Sequence, residues 1–188
     1  MKSKVSLLVV LVLFPIIFLS PAYAGTLESS IGYSFGNSGD INSPKGFNVK
    51  YGYRWDDALG VITSFTYMHS DNDSFSTDNN IKLKNEQTTS YYSFGVGPSY
   101  KVSDYIGVYG LLGLSHISNE YKSTYLSSGD SYWHKDNNST NFMYGMGLNF
   151  YLPYDIMVNA GYERTSFDTI NSDNNHLNTF NINIGYKW

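Results

Sequence analysis

Phe142-Met143-Tyr144-Gly145-Met146-Gly147-Leu148-Asn149-Phe150 is the stretch on which the fold turns. Phe142, Tyr144, Met146, Leu148 and Phe150 are large and apolar, while Asn141, Met143, Gly145, Gly147 and Asn149 between them are mostly small or polar. A period of two belongs to a strand; a helix would repeat its apolar residues at three and four. The glycines carry the decisive information. They weaken a strand, and a sheet face turned to water would hold Lys, Glu and Thr instead. Small side chains suit the interior of an eight-strand barrel, which is only just wide enough to be filled.

The same alternation recurs in seven further segments, at about 27–36, 46–54, 59–68, 91–100, 105–115, 156–163 and 180–188. The second face of 105–115, with Tyr105, Tyr109 and Leu111, is less polar than the others. Tyr53, Trp55, Tyr100, Tyr105, Phe150, Tyr154 and Trp188 stand near strand ends, where aromatic rings suit a water–lipid boundary. Three connections are short, at 55–58, 101–104 and 151–155, and the alternate ones are long and polar, at about 37–43, 69–86, 118–140 and 166–176. Outer-membrane barrels combine short periplasmic turns with longer external loops, which puts both termini in the periplasm. The expected fold is all-β: an eight-stranded antiparallel up-and-down transmembrane β-barrel, apolar face outward.

The first 24 residues stand apart from this pattern. Lys2 and Lys4 precede a 15-residue apolar run from 5 to 19, and Ala22-Tyr23-Ala24 is a small-x-small cleavage site before Gly25. That run, broken by Pro15, is short for a spanning helix of about 20 residues, so 1–24 reads as a cleaved signal peptide and 25–188 as one barrel domain. The absence of Cys excludes a disulfide scaffold, a thiolate metal site and a thiol nucleophile. Removing the leader takes away two lysines and no acid, so the formal charge moves from −4 to −6. The four long connections sum to −6 by themselves, and the strands and turns to zero. Such a chain is no nucleic-acid binder.

Several segments resemble a known family: 46–51 (Gly-Phe-Asn-Val-Lys-Tyr), the turn at 96–104, 144–150, Gly161-Tyr162-Glu163, and the ending Ile184-Gly185-Tyr186-Lys187-Trp188. Together and in this order they are similar to the Ail/OmpX/Lom family of enterobacterial outer-membrane proteins. The resemblance implies a barrel in the Gram-negative outer membrane without an open pore. In several members the surface loops serve adhesion to host cells, entry or survival in serum. It also implies an assembly signal in the last strand, here Phe180, Ile182, Ile184, Tyr186 and Trp188, with Trp188 where the family usually ends in Phe.

Glu28, Lys50, Arg54, Glu163 and Lys187 fall on the inward parity of segments 1, 2, 7 and 8, which become neighbours on closure. Buried charges need partners, so they are expected to form a paired network plugging the lumen; the alternative is a conducting path. His116 and Ser118, with Glu120 two residues on, read as polar rim, with a lipid A hydrolase as the remote alternative. His69, Asp71, Asp73 and Asp78 read as solvated charge, because Ser76 stands where a calcium loop needs Gly. No cofactor, metal or catalytic residue is expected. Phe75, Tyr121, Tyr125, Tyr132 and Trp133 are the candidate loop contacts, since Tyr and Trp dominate binding hot spots. The expected function is non-enzymatic surface display, in adhesion or serum resistance, with an envelope-homeostasis barrel as alternative. The expected partners of a monomer are outer-membrane lipid and lipopolysaccharide, reached by Lys45 and Arg164, and host surface, matrix or serum proteins.

Overall fold

The computed structural model describes residues 25–38, 43–78, 81–125, 131–169 and 172–188; their side chains are described except at 74–78, 81–83, 85, 121–125, 131–137, 167–169 and 172–175. The strands are β1 (Thr26–Asn37), β2 (Lys45–Arg54), β3 (Leu59–Asp78), β4 (Ile81–Lys101), β5 (Ile106–Tyr125), β6 (Ser131–Tyr151), β7 (Ile156–Thr169) and β8 (Ser172–Lys187). Each pairs with the next, and β1 with β8, to close one antiparallel barrel. Closure matters because lipid offers no partner to an unpaired N–H or C=O. At the seam Leu27 and Trp188 exchange two backbone bonds, 2.8 and 3.0 Å long. The export segment expected at 1–24 lies outside the described residues.

Side chains alternate across the wall as the period demands. Ile31, Leu112, Leu114, Met146, Ile182 and Ile184 are each at least 59% exposed on the outer surface. A contiguous apolar belt of this kind would aggregate in water and is matched to a lipid core. Trp55, Tyr105, Tyr154 and Trp188 stand exposed at the end bearing the short turns. Among the described residues no helix is long and apolar enough to cross a membrane; the crossing is made by strands. The turn between β6 and β7 holds Tyr154 at φ 64° and Asp155 at φ 59°. Two consecutive left-handed residues suit the right-handed twist of a hairpin, although Asn and Gly are the usual occupants.

Three expected loops are largely strand. The segments at 69–86, 118–140 and 166–176 continue their ladders, β3 with β4 to Asp78↔Ile81, β5 with β6 to Thr124↔Ser131, and β7 with β8 to Thr169↔Ser172. The cause of the difference is physical. Beyond the lipid neither face of a strand has to be apolar, so the period-two signal disappears while the backbone pairing persists. Asp40, in the first connection, lies outside the described residues.

The lumen is a filled core, and it is less uniformly polar than the Gly, Ser and Asn of its strands suggest. Met68, Tyr91, Ile117 and Leu177 form a buried apolar cluster toward the outer end, and Ile62, Tyr109 and Leu111 a second one lower down. Tyr109 donates from Oη to Asn159 Oδ1 at 3.2 Å. Its ring fits because Gly147 faces it: a Cβ on Gly147 would stand 2.2 Å from the hydroxyl and 2.5 Å from the Ala160 carbonyl oxygen. Gly147→Ala is therefore expected to cost roughly 1–3 kcal/mol by overpacking. Urea unfolding in detergent micelles checks this, and adding Tyr109→Leu should return part of the loss. An unchanged midpoint for the single variant would contradict the packing.

Candidate functional site

Four of the five inward charges, Glu28, Lys50, Arg54 and Glu163, are buried in the lumen. Glu28 Oε1 meets Arg54 Nη2 at 2.8 Å, and the guanidinium sits 5.2 Å from the centre of the Tyr151 ring. Higher up, Glu163 accepts hydrogen bonds from Ser64 (3.0 Å), Thr66 (3.0 Å) and Ser93 (2.9 Å). Lys50 Nζ donates to Asn48 and, at 2.6 Å, to Asn181 Oδ1. Asn181 Nδ2 in turn reaches Glu163 Oε1 at 3.4 Å, so one amide bridges cation and anion. Asn183 adds a bond to Asn48 at 2.7 Å. Lys187 does not join this network. It sits at the rim bearing the short turns, half-buried, with Nζ 3.1 Å from Asp155 Oδ1 in the β6–β7 turn. The rim offers water and a turn carboxylate, which cost a lysine less than lumen burial. The amides of Asn48, Asn181 and Asn183 are what the sequence reading missed, because an Asn carries no charge to flag it.

His116 and Ser118 share the outward parity of β5, and each side chain bonds across to β6. His116 Nδ1 pairs with Thr140 Oγ1 at 2.9 Å, and Ser118 donates to Asn138 at 2.6 Å, each across to its own partner on β6. Outside the membrane, on the β3–β4 hairpin, His69 lies 3.1 Å from Asp71, which also accepts from Thr88 at 2.9 Å. The Thr88 hydroxyl bond, then His69, hold the Asp71 carboxyl below its ordinary range. Lys84 bonds Glu86 and lies 3.0 Å from Asp73, and these two carboxylates, Glu86 foremost, raise its ammonium above the usual range. These acids are thus engaged with hydroxyls and cations. Among the described residues no three His, Asp or Glu converge as metal ligands. The side chain of Asp78 lies outside that description.

The outer hairpins build the main feature of the molecule. Pairing of β2 with β3 stops at Lys45↔His69, and pairing of β6 with β7 begins at Met143↔Thr165. Between these limits β3, β4, β5 and β6 remain paired with one another almost to their tips. A four-stranded sheet therefore continues above the barrel for nine residues on β3, about 30 Å along the strand. Its two outer strands, β3 beyond His69 and β6 before Met143, have no described partner on their far sides. Of the candidate contacts, Tyr121 pairs with Gln87, Tyr125 with Leu83, Trp133 with Ser123 and Phe75 with Lys84, while Tyr132 falls at a register shift. Phe75 and Lys84 share the parity of the lipid-facing residues; Tyr121, Tyr125 and Trp133 share that of the lumen. The side chains of Phe75, Tyr121, Tyr125, Tyr132 and Trp133 lie outside the described set.

Phe180, Ile182, Ile184 and Tyr186 of β8, and Trp188 just after it, all face outward. Phe180 stacks on Phe35 with ring centres 5.5 Å apart, and Tyr186 lies 5.3 Å from Trp188.

Comparison with known proteins agrees with this geometry. The profile of the outer membrane protein beta-barrel domain matches residues 16–188. The attachment invasion locus protein of Yersinia enterocolitica is 32% identical over 90% of this chain and 84% of its own length. Outer membrane protein X of Escherichia coli K12 is 30% identical, covering 88% and 87%. The crystal structure of Ail from Yersinia pestis in complex with the heparin analogue sucrose octasulfate superposes with a TM-score of 0.67 at 28% identity, covering 87% of this chain and 99% of Ail. The chain belongs to the Ail/OmpX family of outer-membrane β-barrel proteins.

Proposed function

We propose that this protein displays the β3–β6 sheet above the outer membrane for adhesion to host surfaces, after export by a signal peptide cleaved before Gly25. The observation that carries the reading is the length over which β3 and β6 have no partner among the described residues, since an open strand edge is a template for an extended segment of another protein. The attachment and virulence names of its relatives, the Yersinia enterocolitica protein and Virulence membrane protein PagC of Salmonella typhimurium, point the same way. Sulfated polysaccharide is a poor partner for this chain, whatever Ail holds. The outer connections sum to −6, and Lys82, Lys84, Lys122 and Lys135 are interleaved with acids. The test compares cells displaying the intact chain with cells in which 72–87 and 121–136 are cut to short turns. Attachment to host cells and matrix proteins should fall at least tenfold at equal barrel abundance and should tolerate raised salt. Equal attachment would overturn the reading, and heparin binding abolished by Lys122→Ala with Lys135→Ala would show that the charge argument has the wrong partner.

The barrel acts as a monomer in contact with lipopolysaccharide, whose phosphates Lys45 and Arg164 can meet at the outer rim. It is not an enzyme in this reading. His116→Ala and Ser118→Ala are expected to leave lipid A acylation unchanged, as followed by mass spectrometry. An acyl chain lost only when both residues are present would promote the hydrolase alternative. The outward aromatic row of β8 serves as the assembly signal, so Trp188→Ala should lower the folded, heat-modifiable fraction in outer membranes more than Trp133→Ala does. Equal fractions would remove that role.

A further inference from the structure

Ser29 is the one small residue on the outward parity of β1 between Leu27 and Phe35. It pairs with Tyr51 on β2 and Tyr186 on β8, and the next row inward from the mouth is Val49–Ile31–Ile184. A two-atom side chain between two tyrosines leaves a notch of about 490 Å³ in the wall, lined chiefly by these six residues and mainly apolar. Ile31, Ile184 and Tyr186 are exposed on the outer surface, so the notch opens toward lipid. On its other side, past the Leu27↔Tyr53 pair, a polar pocket of about 570 Å³ opens at the mouth bearing the short turns. Thr26, Trp55, Asp56 and Asp57 line it, the last three exposed.

We infer that notch and pocket together hold one glycerophospholipid with an ammonium headgroup, its acyl chain against Ser29 and Ile31 and its ammonium beside Asp56 and Asp57. The notch is continuous with the apolar belt, so hydrocarbon is what meets it. With the short turns on the periplasmic side, that hydrocarbon belongs to phospholipid and not to lipopolysaccharide. The spacing fits such a molecule. Thr26 and Ser29 are three residues apart, about 10 Å along the strand and about 7 Å in depth at a tilt of about 45°. The headgroup region of a bilayer is about 5–7 Å deep on each side, so a lipid with its head at the pocket begins its chain at the notch. The Ser29 hydroxyl stands at that boundary, where a lipid ester carbonyl can accept from it; deeper in hydrocarbon it would find no partner. Asp56 and Asp57 attract an ammonium and repel a head that carries only phosphate charge. The inference rests on the sidedness of the barrel and is independent of what the outer hairpins bind.

The test uses the full mature barrel in micelles, mixed with equal amounts of phosphatidylethanolamine and phosphatidylglycerol of matched chains and followed by native mass spectrometry. One phosphatidylethanolamine should stay bound per barrel, at least fivefold more often than phosphatidylglycerol. Ser29→Trp fills the notch and should cut retention at least tenfold, and Ser29→Leu at least threefold. Leu112→Trp, on the lipid-facing wall of β5, should leave it unchanged. Asp56→Asn with Asp57→Asn should bring the two lipids within twofold of each other. Heat-modifiable mobility establishes that every variant is folded. Absence of a retained lipid, retention that both Ser29 variants leave intact, or preference for phosphatidylglycerol would overturn the inference. A paired barrel that Ser29→Trp separates would assign the notch to a second copy of the chain and overturn it as well.

Discussion

Glu163→Ala is expected to destabilise the barrel by about 3–5 kcal/mol, the usual cost of removing one partner from a buried charged network. The carboxylate collects three hydroxyl donors, from Ser64, Thr66 and Ser93, and reaches Lys50 through Asn181. Alanine would leave those donors unmatched and the Lys50 ammonium in the lumen without its anion, with the apolar cluster of Met68, Tyr91, Ile117 and Leu177 lying toward the outer end. Urea unfolding in micelles, followed by heat-modifiable mobility, reads the loss. Lys50→Met combined with Glu163→Leu removes both charges and should cost less than the two single changes added together. A Glu163→Ala barrel within about 1 kcal/mol of the parent would mean that the network contributes little.

The second large effect lies on the other side of the wall. Leu112 is on the lipid-facing parity of β5, paired with Val96 and Tyr144, and 59% exposed in the isolated barrel. Leu112→Arg is expected to cost about 2–4 kcal/mol in a bilayer, the penalty for a guanidinium near the midplane of a barrel. Asn138→Arg, exposed on β6 beyond the lipid-facing belt, should be nearly neutral. Reversible folding into phosphatidylcholine vesicles measures both. Equal costs at the two positions would deny that Leu112 meets lipid.

The parts legible in the sequence were those the bilayer itself dictates. Lipid demands an apolar outer face, and a narrow lumen demands small inner residues, so alternation in stretches such as 142–150 marks each crossing and its facing. The short turns follow where that alternation stops at Trp55, Lys101 and Tyr151. Above the membrane the constraint lapses, and paired backbone at Asp71, Thr88 or Asn119 leaves no periodic trace, which is why the strand extensions read as loops. The inward parity of Glu28, Lys50, Arg54 and Glu163 was visible, but their partners were not. The Asn48–Asn181–Asn183 bridge depends on barrel closure between residues as far apart as β2 and β8, and Lys187 turned to Asp155 because a turn brought a carboxylate within reach of the rim. The outer apolar cluster was hidden because Met68, Tyr91 and Ile117 look like interruptions of a polar face when each strand is read alone.

The absence of native Cys permits a direct test of the whole arrangement. Single cysteines at Ser123, Ser103 and Leu112 are probed on cells with a maleimide reagent too large for porins. Ser123→Cys, on the protruding sheet, should label on intact cells. Ser103→Cys, in the β4–β5 turn, should label only after the outer membrane is opened, and Leu112→Cys in neither condition. Labelling of Ser103→Cys on intact cells, or protection of Ser123→Cys there, would contradict an outer-membrane barrel that presents its β3–β6 sheet to the outside.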